Sequence, residues 1–347
     1  MKFTIGILLL SFSLIGCSSQ RSSTVTNAIS IVQEVNPEYF TSANKNNKVT
    51  KVPCTLSDGT KTECYQIVTN GTPTDHQMGP WCPSNISDNA SAGGIWLKDG
   101  EVYDVDGAFI KDLADIYKDS KWQMYDANGN IFVTETEEDC INAANPQVGE
   151  EYENFCVECL PSYINDLSRT YIIPTKPIFT LNPVAFMGRG GGGPRPERSD
   201  RPERGDRPER GPRPQRGGAS RIPATRGIAL NGVEFSAPAP LNNILDAYTI
   251  APFDDAGGHI NVHQGYHYHT ATGVSYSVSQ KDGHAPLIGY AMDGHGIYGG
   301  EDKNGKEPTD LDECRGHFDE IRGYHYHVDA AGNNNFINCL HGTFSTN

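Results

Sequence analysis

Ten of the chain's eleven histidines lie between His259 and His341, and their spacing is that of a chelating set. The run Gly265-Tyr266-His267-Tyr268-His269 recurs as Gly323-Tyr324-His325-Tyr326-His327. In a β-strand successive side chains point to opposite faces, so each His pair shares one face and each Tyr pair the other. Residues i and i+2 stand about 6.5–7 Å apart along a strand, a span that two imidazoles can close onto one ion. Two such pairs supply up to four neutral nitrogens, enough for tetrahedral zinc or a tetragonal copper or nickel site. The repeat extends upstream without a gap: Asp254, Asp255, Gly258 and His259 match Asp312, Glu313, Gly316 and His317, all at an offset of 58. It implies either a duplication or one pseudo-symmetric site to which two similar hairpins each give half. The expected ligands are His267, His269, His325 and His327, joined by His259 and His317. Asp254, Asp255, Asp312 and Glu313 are expected to accept from outer ring nitrogens and so orient the ligands. The same alternation also suits a buried His–Tyr hydrogen-bonded ladder without metal.

Between the two copies, Leu287 to Met292 is an apolar run fit for a buried strand, and it delivers Asp293 and His295 into a Gly-rich turn. These two are candidates for an acid/base pair or for further ligands, although an Asp at such a place also caps turns. His263, His284 and His341 have no counterpart in the repeat and rank below the paired residues. No Ser-His-Asp order, phosphate loop or HExxH motif specifies a reaction.

Strands must hold these residues. Tyr171–Pro174 and Gly227–Val233 read as strands on either side of a low-complexity insert over 188–221, where Pro-Glu-Arg recurs at Pro196, Pro202 and Pro208. With no apolar face to bury, the insert is expected to be a disordered spacer within one domain. Residues 49–163 hold Cys54, Cys64, Cys82, Cys140, Cys156 and Cys159 among short strands, with turn signals at Thr55–Gly59 and Asp99-Gly100. One amphipathic helix is expected over 106–117, with Asp106 as N-cap and Phe109, Leu113, Ile116 and Tyr117 on one face. Asp126–Asn130 touches on a calcium-loop pattern but lacks its closing Glu, so a hairpin turn is expected.

At the N-terminus, Lys2, the apolar run Ile5–Leu10 and Leu14-Ile15-Gly16-Cys17 read as a signal peptide ending in a small-residue cleavage site. The last four residues resemble the bacterial lipobox, which implies cleavage before Cys17 and lipidation of its thiol. Acyl chains there would anchor the mature chain to a membrane, and in a two-membrane host the likeness points to the outer one. Residues 17–48 are expected to be a flexible tether. Setting Cys17 aside leaves eight cysteines, and an even number outside the cytoplasm implies four disulfides. Cys314 and Cys339 stand far from the rest and are expected to pair. Cys156-Val-Glu-Cys159 has the spacing of a zinc or redox motif but no thioredoxin-like surroundings, so structural disulfides are expected there too.

The 347-residue chain carries a net charge of −15. Because residues 188–221 are basic, with ten Arg against five acids, the folded remainder is more acidic still. Such a body repels phosphate backbones, so no nucleic-acid partner is expected. The two GYHYH runs, together with His284–Gly299 and Leu311–His327, resemble the YHYH domain family of exported proteins over roughly 165–347. Met78–Pro83 and Cys156–Cys159 are similar to segments that precede that domain in relatives. The resemblance supplies a domain and no reaction. The expected fold is mainly β with a few short helices, as a small disulfide-bonded domain (49–163) followed by a β-rich YHYH domain (164–347). The leading functional expectation is a cell-envelope lipoprotein that binds a transition metal, zinc or copper. Two alternatives are a metal-dependent hydrolase or oxidase using Asp293 or His295, and a cell-surface adhesion module with a structural His–Tyr network and a surface partner.

Overall fold

The computed structural model describes residues 31–145, 149–164, 167–186 and 224–346. The expected signal peptide, Cys17 and the 188–221 insert lie outside the described residues. Secondary structure is mostly strand with a few short helices, as expected.

Chain order gives β1 (Lys48–Thr55), β2 (Lys61–Thr69), β3 (Ile95–Lys98), β4 (Glu101–Asp104), β5 (Arg169–Pro174) and β6 (Phe179–Ala185) before the insert. After it come β7 (Gly227–Ala229), β8 (Glu234–Phe235), β9 (Gly258–Asn261), β10 (Gly265–Tyr268), β11 (Leu287–Ala291), β12 (Gly296–Tyr298), β13 (Gly316–Asp319), β14 (Gly323–His327) and β15 (Cys339–Gly342). Eight of these form one sheet in the order β13-β14-β12-β11-β7-β8-β10-β9. The order is a palindrome of two four-stranded halves. In each half an antiparallel hairpin (β7/β8 or β11/β12) adds its second strand in parallel to the second strand of a His-bearing hairpin (β9/β10 or β13/β14). The halves meet where β7 and β11 run antiparallel, with Ile228 opposite Tyr290, so a local twofold passes between them.

This duplication is longer than the His repeat. Gly227-Ile-Ala-Leu-Asn231-Gly232-Val233 matches Gly289-Tyr-Ala-Met-Asp293-Gly294-His295 at an offset of 62. The glycines are structural at the centre. A Cβ on Gly227 would lie 2.8 Å from Ile297, and one on Gly289 would lie 2.6 Å from Phe235, so each half lays one apolar side chain across the other's glycine. The His hairpins use the same device: a Cβ on Gly258 or Gly316 would stand 2.5 or 2.1 Å from the hydroxyl of Tyr266 or Tyr324.

Two expectations about organisation need correction. Residues 31–48 belong to the folded body and not to a tether. Pro37–Ala43 is a helix capped by Asn36, whose side chain accepts from the Glu38 amide at 3.0 Å, and Phe40 is fully buried against Tyr290. The sequence there is polar, but two apolar residues, Phe40 and Ala43, suffice to dock a helix of about two turns. The expected boundary at 163/164 is also no boundary in packing. Strand β5 completes a sheet with β1 and β2, and one apolar core mixes Trp81, Trp96 and Ile110 with Phe235, Tyr290 and Phe336.

Local readings hold elsewhere. Asp99 and Gly100 both take positive φ in the β3/β4 hairpin turn, where Lys98 pairs with Glu101. Asp106 caps the expected helix through a 2.7 Å bond from the Phe109 amide, although that helix breaks at Asp112 into two short pieces. Asp126 spends its carboxylate on the amides of Asn128 and Asn130, which makes a turn and leaves no calcium loop. All eight described cysteines pair: Cys54–Cys64, Cys82–Cys156, Cys140–Cys159 and the expected Cys314–Cys339. The two cysteines of the CxxC stretch thus bond to different partners, and neither is a redox or zinc thiolate.

Candidate metal centres

In each His hairpin, pairing places the imidazoles together. His259 stands directly opposite His267, and His317 directly opposite His325, so each pair shares a face, and the i+2 residues His269 and His327 join that face. The first cluster is His259, His267 and His269; the second is His317, His325 and His327 with His284 from the loop before β11. In the first, the Nε2 atoms of His267 and His269 lie 3.0 Å apart, and those of His269 and His259 3.2 Å. In the second, His325 Nε2 lies 3.0 Å from both His284 Nε2 and His317 Nε2, and His317 Nε2 lies 3.2 Å from His327 Nε2.

The other ring nitrogens fix the tautomer. His267 Nδ1 meets Gly265 O at 2.9 Å, His269 Nδ1 meets Ala237 O at 2.6 Å, His325 Nδ1 meets Gly323 O at 3.0 Å and His327 Nδ1 meets Gly299 O at 2.8 Å. His284 Nδ1 meets Ala285 O at 2.9 Å, and His317 Nδ1 meets the Asp310 carboxylate at 2.8 Å. A carbonyl has no proton to give, so each of these Nδ1 atoms carries the hydrogen and each Nε2 of a neutral ring presents a lone pair. Lone pairs about 3 Å apart repel unless a cation lies among them. A tetrahedral ion with bonds of about 2.0–2.1 Å would hold its nitrogens about 3.3 Å apart, so these close pairs need open only by tenths of an ångström.

Burial favours the neutral form of four of the rings. It pushes His259 and His325 far below the ordinary imidazole value and lowers His284; His327 falls to about 3. The neutral form is the one that ligates.

Of the two arrangements the repeat allowed, the single site shared between the two pairs does not form and the duplication does. The hairpins occupy opposite edges of the sheet, with β10 and β14 five inter-strand steps apart, on the order of 24 Å for a flat sheet. Each builds its own cluster on the same face. The expected carboxylate orienters are also displaced. Asp254 accepts from the amides of Ala256 and Gly258 and from the Tyr266 hydroxyl at 2.7 Å, and Asp312 repeats this with Cys314, Gly316 and Tyr324. They shape the turn that enters each hairpin and hold the Tyr face, while backbone carbonyls orient most imidazoles. Asp255 and Glu313 do not reach the rings in any contact of the described residues.

Asp293 and His295 lie on the Tyr face, away from both clusters. Asp293 is fully buried and accepts from Tyr326 Oη at 2.7 Å, the Gly342 amide at 2.8 Å and the His295 amide at 3.1 Å. Its repeat counterpart Asn231 caps the Val233 amide in the same way and donates to Tyr268 Oη at 2.8 Å. The turn-capping role is therefore the one the geometry gives Asp293. His295 donates from Nδ1 to Tyr324 O at 2.9 Å, and burial lowers its pKa. His341 also sits on the Tyr face, with Nε2 3.3 Å from Asp312; the neighbouring Cys314 is in a disulfide and cannot complete a ligand set. His263 lies in an exposed turn.

Two residues escaped the sequence reading. His284 had no repeat partner to raise its rank, yet it completes the second cluster. His76, distant in sequence, reaches the hydroxyls of Tyr266 and Tyr268 at 3.1 and 3.3 Å, and no motif marks it.

Residues 212–310 match the model of the YHYH protein family. No curated protein and no solved structure matches the chain.

Proposed function

We propose that this YHYH-domain chain is a cell-envelope lipoprotein that binds two transition-metal ions, one on each His hairpin, with zinc or copper as the resident metal. The observation that carries the reading is the convergence of Nε2 atoms in each cluster, where the four buried imidazoles of His267, His269, His325 and His327 commit their Nδ1 protons to backbone carbonyls. A purely structural His–Tyr ladder would alternate donors and acceptors, and these clusters face acceptor to acceptor. All-imidazole donor sets suit zinc and copper. When bound, the ion would tie the two strands of a hairpin together and neutralise the repulsion among its ligands; the chain's own part is to hold the rings in register and exclude their protonation.

Anchoring through Cys17 and export to the envelope, in the outer membrane where the host has one, rest on the lipobox-like sequence. Four disulfides agree with an oxidising compartment. Protein purified without a His tag from its native host should carry zinc or copper, with X-ray absorption showing imidazole nitrogens as the main ligands and no sulfur. Metal-free protein at neutral pH that also fails to take up either metal on addition would overturn the reading.

A further inference from the structure

The duplication gives the two halves the same strands, turns and paired histidines, but not the same number of ligands. His284 stands five residues before Gly289 in the second half; five residues before the matching Gly227 the sequence has Ile222. The second cluster accordingly has four imidazoles. Among the described residues the first has three, with no further His, Cys or carboxylate within ligating distance. Their charge environments differ too. His317 leans on the Asp310 carboxylate, whereas the matching position in the first half is Pro252, which has no carboxylate to offer His259. Phe253 rests on His259 and His269, with ring centroids 5.0 and 5.4 Å away, and is itself packed with Ile95, Leu97 and Ala239.

We infer that the two centres differ in kind: the four-His centre is coordinatively closed, and the three-His centre of His259, His267 and His269 takes its fourth ligand from solution, as water or a small monodentate anion. This rests on the metal-binding reading above. Four protein ligands complete a tetrahedral structural site, whereas three leave the open position typical of exchangeable or catalytic sites. Three neutral imidazoles leave a divalent ion its full double charge beside an apolar wall, where attraction for an anion is weakly screened.

The test uses cobalt(II) alone as the metal probe and azide as the anion, on the untagged mature chain. Wild type should bind two cobalt ions, and azide should shift the visible bands of one of them. In the double variant His325→Ala/His327→Ala the remaining cobalt should respond fully to azide. In His267→Ala/His269→Ala it should not respond, and adding His284→Ala to that variant should create a response. Two bound cobalt ions of which both or neither respond would overturn this inference while leaving metal binding intact. Failure to bind cobalt, zinc or copper at all would remove the metal reading itself, and this inference with it.

Discussion

Replacing Asp293 with Asn removes a charge but almost no volume, and the structure states what that charge does. Oδ2 accepts from Tyr326 Oη at 2.7 Å and from the Gly342 amide at 2.8 Å, and Oδ1 accepts from the His295 amide at 3.1 Å, all fully buried. An Asn can keep the His295 bond through its remaining oxygen. Its amide nitrogen then faces the Gly342 N–H, donor against donor, and Tyr326 Oη, which already accepts from the His341 amide at 2.7 Å. Two bonds to a charged acceptor are lost and one buried N–H is left unsatisfied, at about 1.5–3 kcal/mol each before relaxation. A net loss of about 3 kcal/mol is expected, which lowers Tm by about 4 °C for a chain of this size. Thermal unfolding followed by circular dichroism, with chelator present and disulfides intact, measures it. The variant should still bind two metal ions, because Asp293 touches neither cluster. A Tm within a degree of wild type, or loss of metal at unchanged Tm, would refute the assignment of Asp293 to the fold.

Acid should destabilise the metal-free chain through the buried rings. Above about pH 6.5 folded and unfolded chains both hold them neutral; below it the unfolded chain binds protons that folded His259, His325 and His327 refuse, the last down to about 3. Unfolding free energy should therefore fall as pH falls, by about 1.4 kcal/mol per ring per pH unit, and urea titrations of chelated protein at pH 7 and 5 that agree would contradict it. Replacing Cys314 and Cys339 together with Ser opens a loop of sequence separation 25 and should cost about 3.5 kcal/mol in the chain-entropy estimate; unchanged stability to urea would show that the bridge constrains nothing. Cys17→Ala should move the protein from the membrane fraction to the soluble envelope fraction, and membrane retention of the variant would remove the lipid-anchor reading.

What could be read from the sequence was set by local geometry. His-x-His in a strand fixes a shared face, Asp99-Gly100 fixes a turn, and Cys314 and Cys339 had no nearer partners. Strand order is not local, and it decided the rest. Four central strands separate the two His hairpins, so an evenly spaced repeat that also allowed one composite site gives two separate His clusters. The full duplication was hidden because its early part repeats at 62 and its late part at 58, a four-residue difference absorbed before β9 and β13. The ligand orienters were missed because backbone carbonyls, which every residue has, do the work assigned to acids. His284 joins its cluster from a loop, where spacing carries no face information, and residues 31–48 fold because Phe40 finds Tyr290 across the chain.

The central claim is two independent metal centres, each made of one hairpin's neutral imidazoles, and metal stoichiometry tests it most directly. Equilibrium dialysis of the untagged chain against zinc at neutral pH should give two ions per chain, and one for each of His267→Ala/His269→Ala and His325→Ala/His327→Ala, with the surviving site at unchanged affinity. Loss of all tight binding in either double variant would mean that the hairpins share one site and would contradict the account.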